Sequence, residues 1–274
     1  MKRTTVIIAL AILMLTGCKH KNYEFDTYYV NGEKCWLQIF DEPFIFDEDT
    51  LGVMVTYSFM LPEKGVLSPA AERELMDFYF GDNSVTDVNK AVEKWISQPF
   101  FFKDENARLQ PVDSLSDDIA GISYLSVESS CSRDSDLATF FVMTEMSPCG
   151  AAHGIYSENY LTVDLETGNV IHLEDLVTDT VLLCEAIARA IQDLEVNSGI
   201  TDCLFDEFRE VERMPLPHNF IIDGDRNCIT VYYDLYRIAP YACGIQEVTL
   251  PIFWLSKHVP LTPYAKQFFG PECS

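Results

Sequence analysis

Asn159-Tyr160-Leu161-Thr162-Val163-Asp164-Leu165, then Glu166-Thr167-Gly168-Asn169, then Val170-Ile171-His172-Leu173, reads as strand, tight turn and returning strand. The first run is rich in β-branched and aromatic residues, and Gly168 stands where such a turn calls for a positive φ. Just beyond it, Thr178 or Asp179 is placed to cap a helix reaching about Val196. That helix carries Leu183, Ile187, Ile191 and Leu194 on one face. A hairpin feeding directly into an amphipathic helix points away from βαβ repetition and towards segregated α and β structure.

Reading outward from this stretch strengthens the point. Towards the C-terminus, a short helix is expected over Cys203–Val211, followed by strands at Asn219–Asp223, Ile229–Tyr233 and Gln246–Ile252. Towards the N-terminus, Gly121–Ser129 and Leu137–Met146 alternate well enough to be neighbours in an antiparallel sheet. Further back, Trp36–Phe40 and Val53–Met60 read as strands and Thr86–Ser97 as a helix. Ser68-Pro69 opens another helix, with Ser as cap and Pro at the first position, and Leu75, Phe78 and Tyr79 form its apolar stripe. The expectation is an α+β fold of antiparallel β-sheets packed with a few α-helices. Pro111 and the Asp- and Ser-rich Asp113–Asp118 divide a small N-terminal α+β module, 35–110, from a C-terminal domain, 111–274.

The first residues give an address. Lys2 and Arg3 precede an apolar run from Val6 to Leu15, shorter than the roughly 20 residues that span a bilayer. The run ends in Leu15-Thr16-Gly17-Cys18, which resembles a bacterial lipobox. Residues 1–17 are therefore expected to be a lipoprotein signal peptide, Cys18 the lipidated residue and 18–34 a tether. Lys19, His20 and Lys21 follow, with no Asp directly after the Cys. That pattern is compatible with an outer-membrane anchor facing the periplasm, or with surface exposure.

Composition narrows the partners. The 274 residues hold 43 Asp plus Glu against 19 Lys plus Arg, a formal net charge of −24, and are 48% hydrophobic. Nucleic acid is excluded as a partner, since phosphate binding needs clustered basic residues. The apolar fraction excludes an acidic disordered tail. Loss of residues 1–17, which include Lys2 and Arg3 and no acidic residue, raises the acidic excess to −26.

Besides Cys18 there are eight cysteines: Cys35, Cys131, Cys149, Cys184, Cys203, Cys228, Cys243 and Cys273. An even number in an exported chain implies disulfides, with about a hundred connectivities open. No CxxC pair or zinc-type Cys–His spacing occurs, and His172, His218 and His258 lack ligand-like partners, so neither metal nor cofactor is expected. Asp47-Glu48-Asp49 lacks the Gly and terminal Glu of an EF-hand and reads as solvated surface.

Three segments resemble a known family when taken together. They are Gly150-Ala151-Ala152-His153-Gly154, Tyr160–Leu176, and Tyr232–Gly244 with its Tyr236-Arg237-Ile238-Ala239-Pro240-Tyr241-Ala242-Cys243-Gly244, ending in Glu247-Val248-Thr249-Leu250-Pro251. Over roughly residues 120–256 the chain is similar to the C-terminal domain of RsiV-type anti-sigma factors. A like module accompanies the catalytic domain of a peptidoglycan deacetylase. The resemblance implies an extracytoplasmic α+β binding module, in some members a lysozyme sensor, and no catalysis. Anti-sigma activity is not expected here, because a lipobox stands in place of a cytoplasmic segment and transmembrane helix.

Within that frame, His153 and Gly154 of the first loop and Tyr236 and Tyr241 of the third are the candidate ligand-binding residues. Each has a plainer alternative, His153 as a structural ring at a tight turn and Tyr241 as part of a rigid corner. A Cys149–Cys243 disulfide would join the two loops and bring His153 near Tyr241. The candidate ligands are a lysozyme-like cationic protein or the glycan or peptide of peptidoglycan. A hydrolase centred on His153 ranks below both, because Ser147 and Cys149 sit in no recognisable nucleophile context, so no catalytic residue is assigned.

Overall fold

A computed structural model of the chain describes residues 25–28, 42–46, 51–57, 59–62, 65–84, 87–88, 90–91, 94, 109–111, 121–134, 136–148 and 150–269. The expected leader, Cys18, Cys149, the expected strand at Trp36–Phe40 and most of the expected helix at Thr86–Ser97 lie outside the described residues.

The hairpin that opened the reading is present. Strand β8 (Ile155–Asp164) pairs with a short β9 (Asn169–Val170), antiparallel, through Val163–Val170 and Asp164–Asn169. Asp164 shapes the turn: its Oδ1 accepts from the Glu166 N–H at 2.8 Å and the Thr167 N–H at 3.2 Å. Gly168 sits at φ +70°, and a Cβ there would stand 3.0 Å from the Val66 carbonyl oxygen, so both its backbone angle and its neighbour require glycine. The returning strand is shorter than expected. Asp175 draws the His172 N–H onto its Oδ2 at 2.8 Å, and the chain turns into a one-turn helix at Leu173–Leu176.

The hairpin is one edge of a seven-stranded sheet. Its remaining strands are β2 (Glu42–Phe46), β3 (Leu51–Tyr57), β5 (Leu109–Pro111), β6 (Gly121–Asp134) and β7 (Leu137–Ser147), in the order β5-β2-β3-β6-β7-β8-β9. β6 and β7 are antiparallel neighbours, as alternation predicts, paired from Tyr124–Ser147 to Asp134–Leu137. β3 against β6 is a parallel pair in an otherwise antiparallel arrangement. The run read as one strand, Val53–Met60, divides. β3 joins the large sheet, and β4 (Phe59–Pro62) pairs instead with β1 (Phe25–Tyr28).

One face of the large sheet is covered by helix α1 (Pro69–Phe80). Ser68 caps it, its Oγ accepting from the Ala71 N–H at 3.2 Å, and Gly81 closes it at φ +65°. Ala71, Leu75 and Tyr79 repeat every four residues. They bury against Leu125, Val127, Ala138, Phe140, Val142 and Val163, which share one side of β6, β7 and β8.

The second and larger core lies over a three-stranded antiparallel sheet of β10 (Asn219–Asp223), β11 (Cys228–Tyr233) and β12 (Gln246–Pro251). Helix α3 (Thr180–Asp193) packs on it through Leu183, Ile187 and Ile191, where α2 names the turn at Leu173–Leu176. Asp179 caps α3, accepting from the Val181 and Leu182 N–H groups. The helix stops at Asp193, short of the expected Val196. Buried Asn197 explains this: its amide donates to the Ala190 and Thr249 carbonyls, and its Oδ1 accepts from the Thr249 N–H. Cys203–Val211 is not a continuous helix either. Phe205 donates its N–H to the Ile238 carbonyl and Glu210 is extended, leaving two 3-10 turns, Asp206–Arg209 and Val211–Arg213.

Late residues complete this core. Val177 bridges to Leu261, Ala265 and Phe269 are buried, and the Tyr264 hydroxyl donates to Asp164 Oδ2 at 2.9 Å. The fold is α+β. Among the described residues no helix is long and apolar enough to cross a membrane.

Candidate functional site

The face of the large sheet turned away from α1 carries Tyr156, Glu158 and Tyr160 at alternate positions of β8. Opposite them stands the segment that leaves β11 and enters β12. Two tyrosine contacts join these walls. Tyr160 stacks on Tyr232 with ring centres 4.4 Å apart, and Tyr156 meets Tyr241 edge-on at 6.4 Å. Asn219 of β10 fastens the arrangement. Its Oδ1 accepts from the Tyr160 N–H, and its amide donates to the Glu158 carbonyl and to Asn159 Oδ1.

The four residues singled out from the sequence come together at one end of this strip. His153 stacks on Tyr241, ring centres 4.1 Å apart and planes 25° from parallel. The Tyr241 hydroxyl donates to the Gly154 carbonyl at 2.9 Å. His153 Nδ1 lies 2.9 Å from the same oxygen, which can only accept, so in this contact Nδ1 carries the proton. Gly154 is needed because a Cβ there would sit 3.0 Å from the Met146 carbonyl oxygen. Tyr236 completes the group, its ring centre 5.9 Å from that of Tyr241 and its residue 54% exposed. It holds φ +65°, a conformation costly for a bulky side chain.

The expected Cys149–Cys243 disulfide is corrected. Cys243 pairs with Cys203, Cα atoms 6.1 Å apart. His153 and Tyr241 are neighbours all the same, through ring stacking and the Gly154 carbonyl. The bridge therefore ties the Tyr241 loop to the turn beyond α3 and not to the His153 loop. Gln246 supports it from behind, its amide donating to the Cys243 and Gly244 carbonyls at 2.7 and 3.1 Å. Cys131, Cys184 and Cys228 are free thiols.

Two acidic residues here, Glu158 and Asp234, were not singled out from the sequence. Glu158 accepts from the Tyr160 hydroxyl at 3.0 Å. Asp234, two residues beyond Tyr232, feels the charges of His218, Glu158 and Arg237, and among the described residues its buried Oδ1 has no hydrogen-bond partner. Burial raises the Asp234 pKa, His218 opposes that and Glu158 adds to it. Burial likewise pushes Tyr232 up to about 12, with the Glu247 charge adding to the shift. Tyr160 and Tyr232 were legible only as strand residues, and Tyr156 and Glu158 fell before the expected strand, which began at Asn159 and not at Ile155. The alternation of Tyr156, Glu158 and Tyr160 marks one face, but nothing local says what that face meets.

Two other concavities flank the strip. One, of about 280 Å3, is lined by Asp134, Asp136, Asp164, Glu166 and Asp225. Much of this acidity is spent on backbone, with Asp134 Oδ2 accepting from the Gly224 N–H and Asp164 engaged in its turn. The other, of about 310 Å3, runs between the sheets beside Phe141 and Tyr160. Among the described residues no group of three His, Cys, Asp or Glu side chains is placed to hold a metal ion.

The third resembling segment, Tyr232–Gly244, lies within the span that matches a known family. Residues 174–252 match the family described as Protein of unknown function (DUF3298). The matched span holds Asp234, Tyr236 and Tyr241 and stops short of His153. A DUF3298-family protein from Bacteroides fragilis NCTC 9343 superimposes with a TM-score of 0.60 at 20% identity, covering 89% of this chain and 96% of that one. A second, from Pseudomonas aeruginosa PAO1, gives 0.46 at 13% identity over 89% of this chain and 94% of that one. The Bacteroides likeness is one of fold. No curated protein matches the chain.

Proposed function

We propose that this chain is a cell-envelope binding protein, lipid-anchored at Cys18 to the outer membrane and facing the periplasm, that captures a basic protein of the lysozyme type. The observation that carries the reading is the strip itself, an exposed Tyr236 beside the His153–Tyr241 stack on a chain of net charge −24. Tyrosine-rich clusters held rigid by their neighbours are the usual energetic centres of protein interfaces, and an acidic field speeds encounter with a basic partner. The lipobox-like Leu15–Cys18 and the Cys203–Cys243 disulfide suit an oxidising envelope compartment.

The test is retention of lysozyme on the immobilised protein across a salt series. Retention at low salt that falls as salt rises is expected, and Tyr241→Ala weakens it. No retention at low salt overturns the reading. A second reading, a peptidoglycan glycan binder, rests on the exposed Tyr236, an aromatic residue of the kind that stacks on sugars. It predicts retention on purified peptidoglycan with little salt dependence.

A further inference from the structure

The concavity of about 310 Å3 lies between the face of the large sheet turned away from α1 and strand β10, whose Ile221 and Asp223 line it. Strand register sets its floor. Ser130 of β6 stands opposite Phe141 of β7, and Phe141 opposite Tyr160 of β8, so three side chains cross the sheet in one row. Ser132, Thr139 and Thr162 make the next row. In the first row the Phe141 and Tyr160 rings lie 5.1 Å apart, their planes at 43°. In the second, the Thr139 and Thr162 hydroxyls bond to each other at 3.2 Å, while Ser130 and Ser132 stay exposed. The rim is close to neutral on a chain of net charge −24. Arg133 lines it together with Asp134, Asp223 and Asp225, and Arg226 brings its Nε to 3.4 Å from Asp223 Oδ2. The neighbouring concavity, by contrast, is lined by carboxylates with no Lys or Arg.

This combination selects a ligand class. An apolar chain would cover the serine hydroxyls without giving them partners. An anion would meet the carboxylates of the rim and a cation would meet Arg133. A neutral sugar ring fits both features. Its C–H face lies on aromatic rings, and its hydroxyls exchange hydrogen bonds with serine hydroxyls and carboxylate oxygens. We infer that the Ser130–Phe141–Tyr160 groove is a binding site for a neutral oligosaccharide. The groove is a different place from the Tyr236 ring, and its occupancy does not rest on the capture of a basic protein.

Calorimetric titration of the intact protein with two neutral probes, tetra-N-acetylchitotetraose and maltotetraose, tests this. The expected result is binding of at least one probe with an affinity that salt does not change. Ser130→Tyr and Ser132→Tyr each fill the groove from an exposed strand position, where Tyr suits the backbone. Asp77→Tyr adds the same ring to exposed α1, on the other side of the large sheet. Affinity is expected to fall about tenfold or more in either serine variant and by no more than about twofold in Asp77→Tyr. Melting temperatures near wild type certify that the variants fold. Amide chemical shifts of the wild-type protein give a reading free of any variant: sugar is expected to move those of Ser130 and Phe141. Shifts confined to the Tyr236–Tyr241 loop overturn the inference, as does unchanged binding in a folded serine variant, and both leave the glycan reading at Tyr236 standing. Equal losses in all three variants, or an affinity that falls as salt rises, overturn it too. Failure of wild type to bind either probe overturns it and leaves the lysozyme reading untouched.

Discussion

Asp234 shows how one side chain carries a cost that the fold does not recover. Burial raises its pKa, so the folded protein holds this proton more tightly than the unfolded chain does. The sign follows from linkage. Its contribution is fully present below the ordinary Asp value of about 3.9 and is lost as pH rises through the higher folded value. At neutral pH the ionised carboxylate is therefore a net penalty. Asp234→Asn is expected to be more stable than wild type at pH 7, with the difference closing below about pH 4. Urea melts of both proteins across that range check it, and a difference that grows on acidification would contradict the assignment. Among single residues, those with a backbone reason were the legible ones. His153, Gly154 and Tyr241 stand out because small or rigid neighbours announce a tight loop. Asp234 and Glu158 do not, because burial of a carboxylate depends on elements distant in the chain.

At the scale of elements, α1 and the β8–β9 turn depend on each other. Ser68 caps the helix with its hydroxyl and donates its own N–H to the Gly168 carbonyl at 2.7 Å. Ser68→Ala is expected to cost about 1 kcal/mol, read as a shift in the denaturation midpoint with an unchanged slope. The elements read correctly were those with local signals. Ser-Pro opened α1, alternation marked β6 and β7, and Asp179 capped α3. The misreadings share a cause in long-range contacts. Cys203–Val211 has helical composition, but the Cys243 bridge and the Phe205 bond to Ile238 hold it in short turns. Val53–Met60 is continuous in hydropathy, yet two partners claim its halves.

For the whole molecule, two cores on two sheets meet along the tyrosine strip, and one covalent tie governs how firmly its outer wall is held. The Cys203–Cys243 bridge joins positions 40 apart in the chain and encloses all of β10 and β11. Reduction is expected to lower stability by about 2–4 kcal/mol and to weaken binding at the strip by loosening Tyr241. Thermal melts and lysozyme retention with and without reductant, alongside Cys203→Ser, measure both effects. Unchanged binding after reduction would show that the His153 stack and the hydroxyl bond to Gly154 hold Tyr241 without the bridge. The fold class was open to inspection in the sequence because the turn and cap residues are local. The meeting of the two sheets was not, since Asn219 and Tyr160 lie 59 positions apart.

The hydrogen bond from Tyr264 to Asp164 has a consequence for how the protein comes into being. Asp164 belongs to the hairpin, and its partner arrives 100 positions later, with Leu261, Ala265 and Phe269 sealing the same core. A polypeptide issuing from a ribosome holds the hairpin and α3 long before it holds their closing wall. Until residue 269 is free, the larger core remains open on one side. The hairpin thus meets this partner only after a further 100 positions of chain have been made.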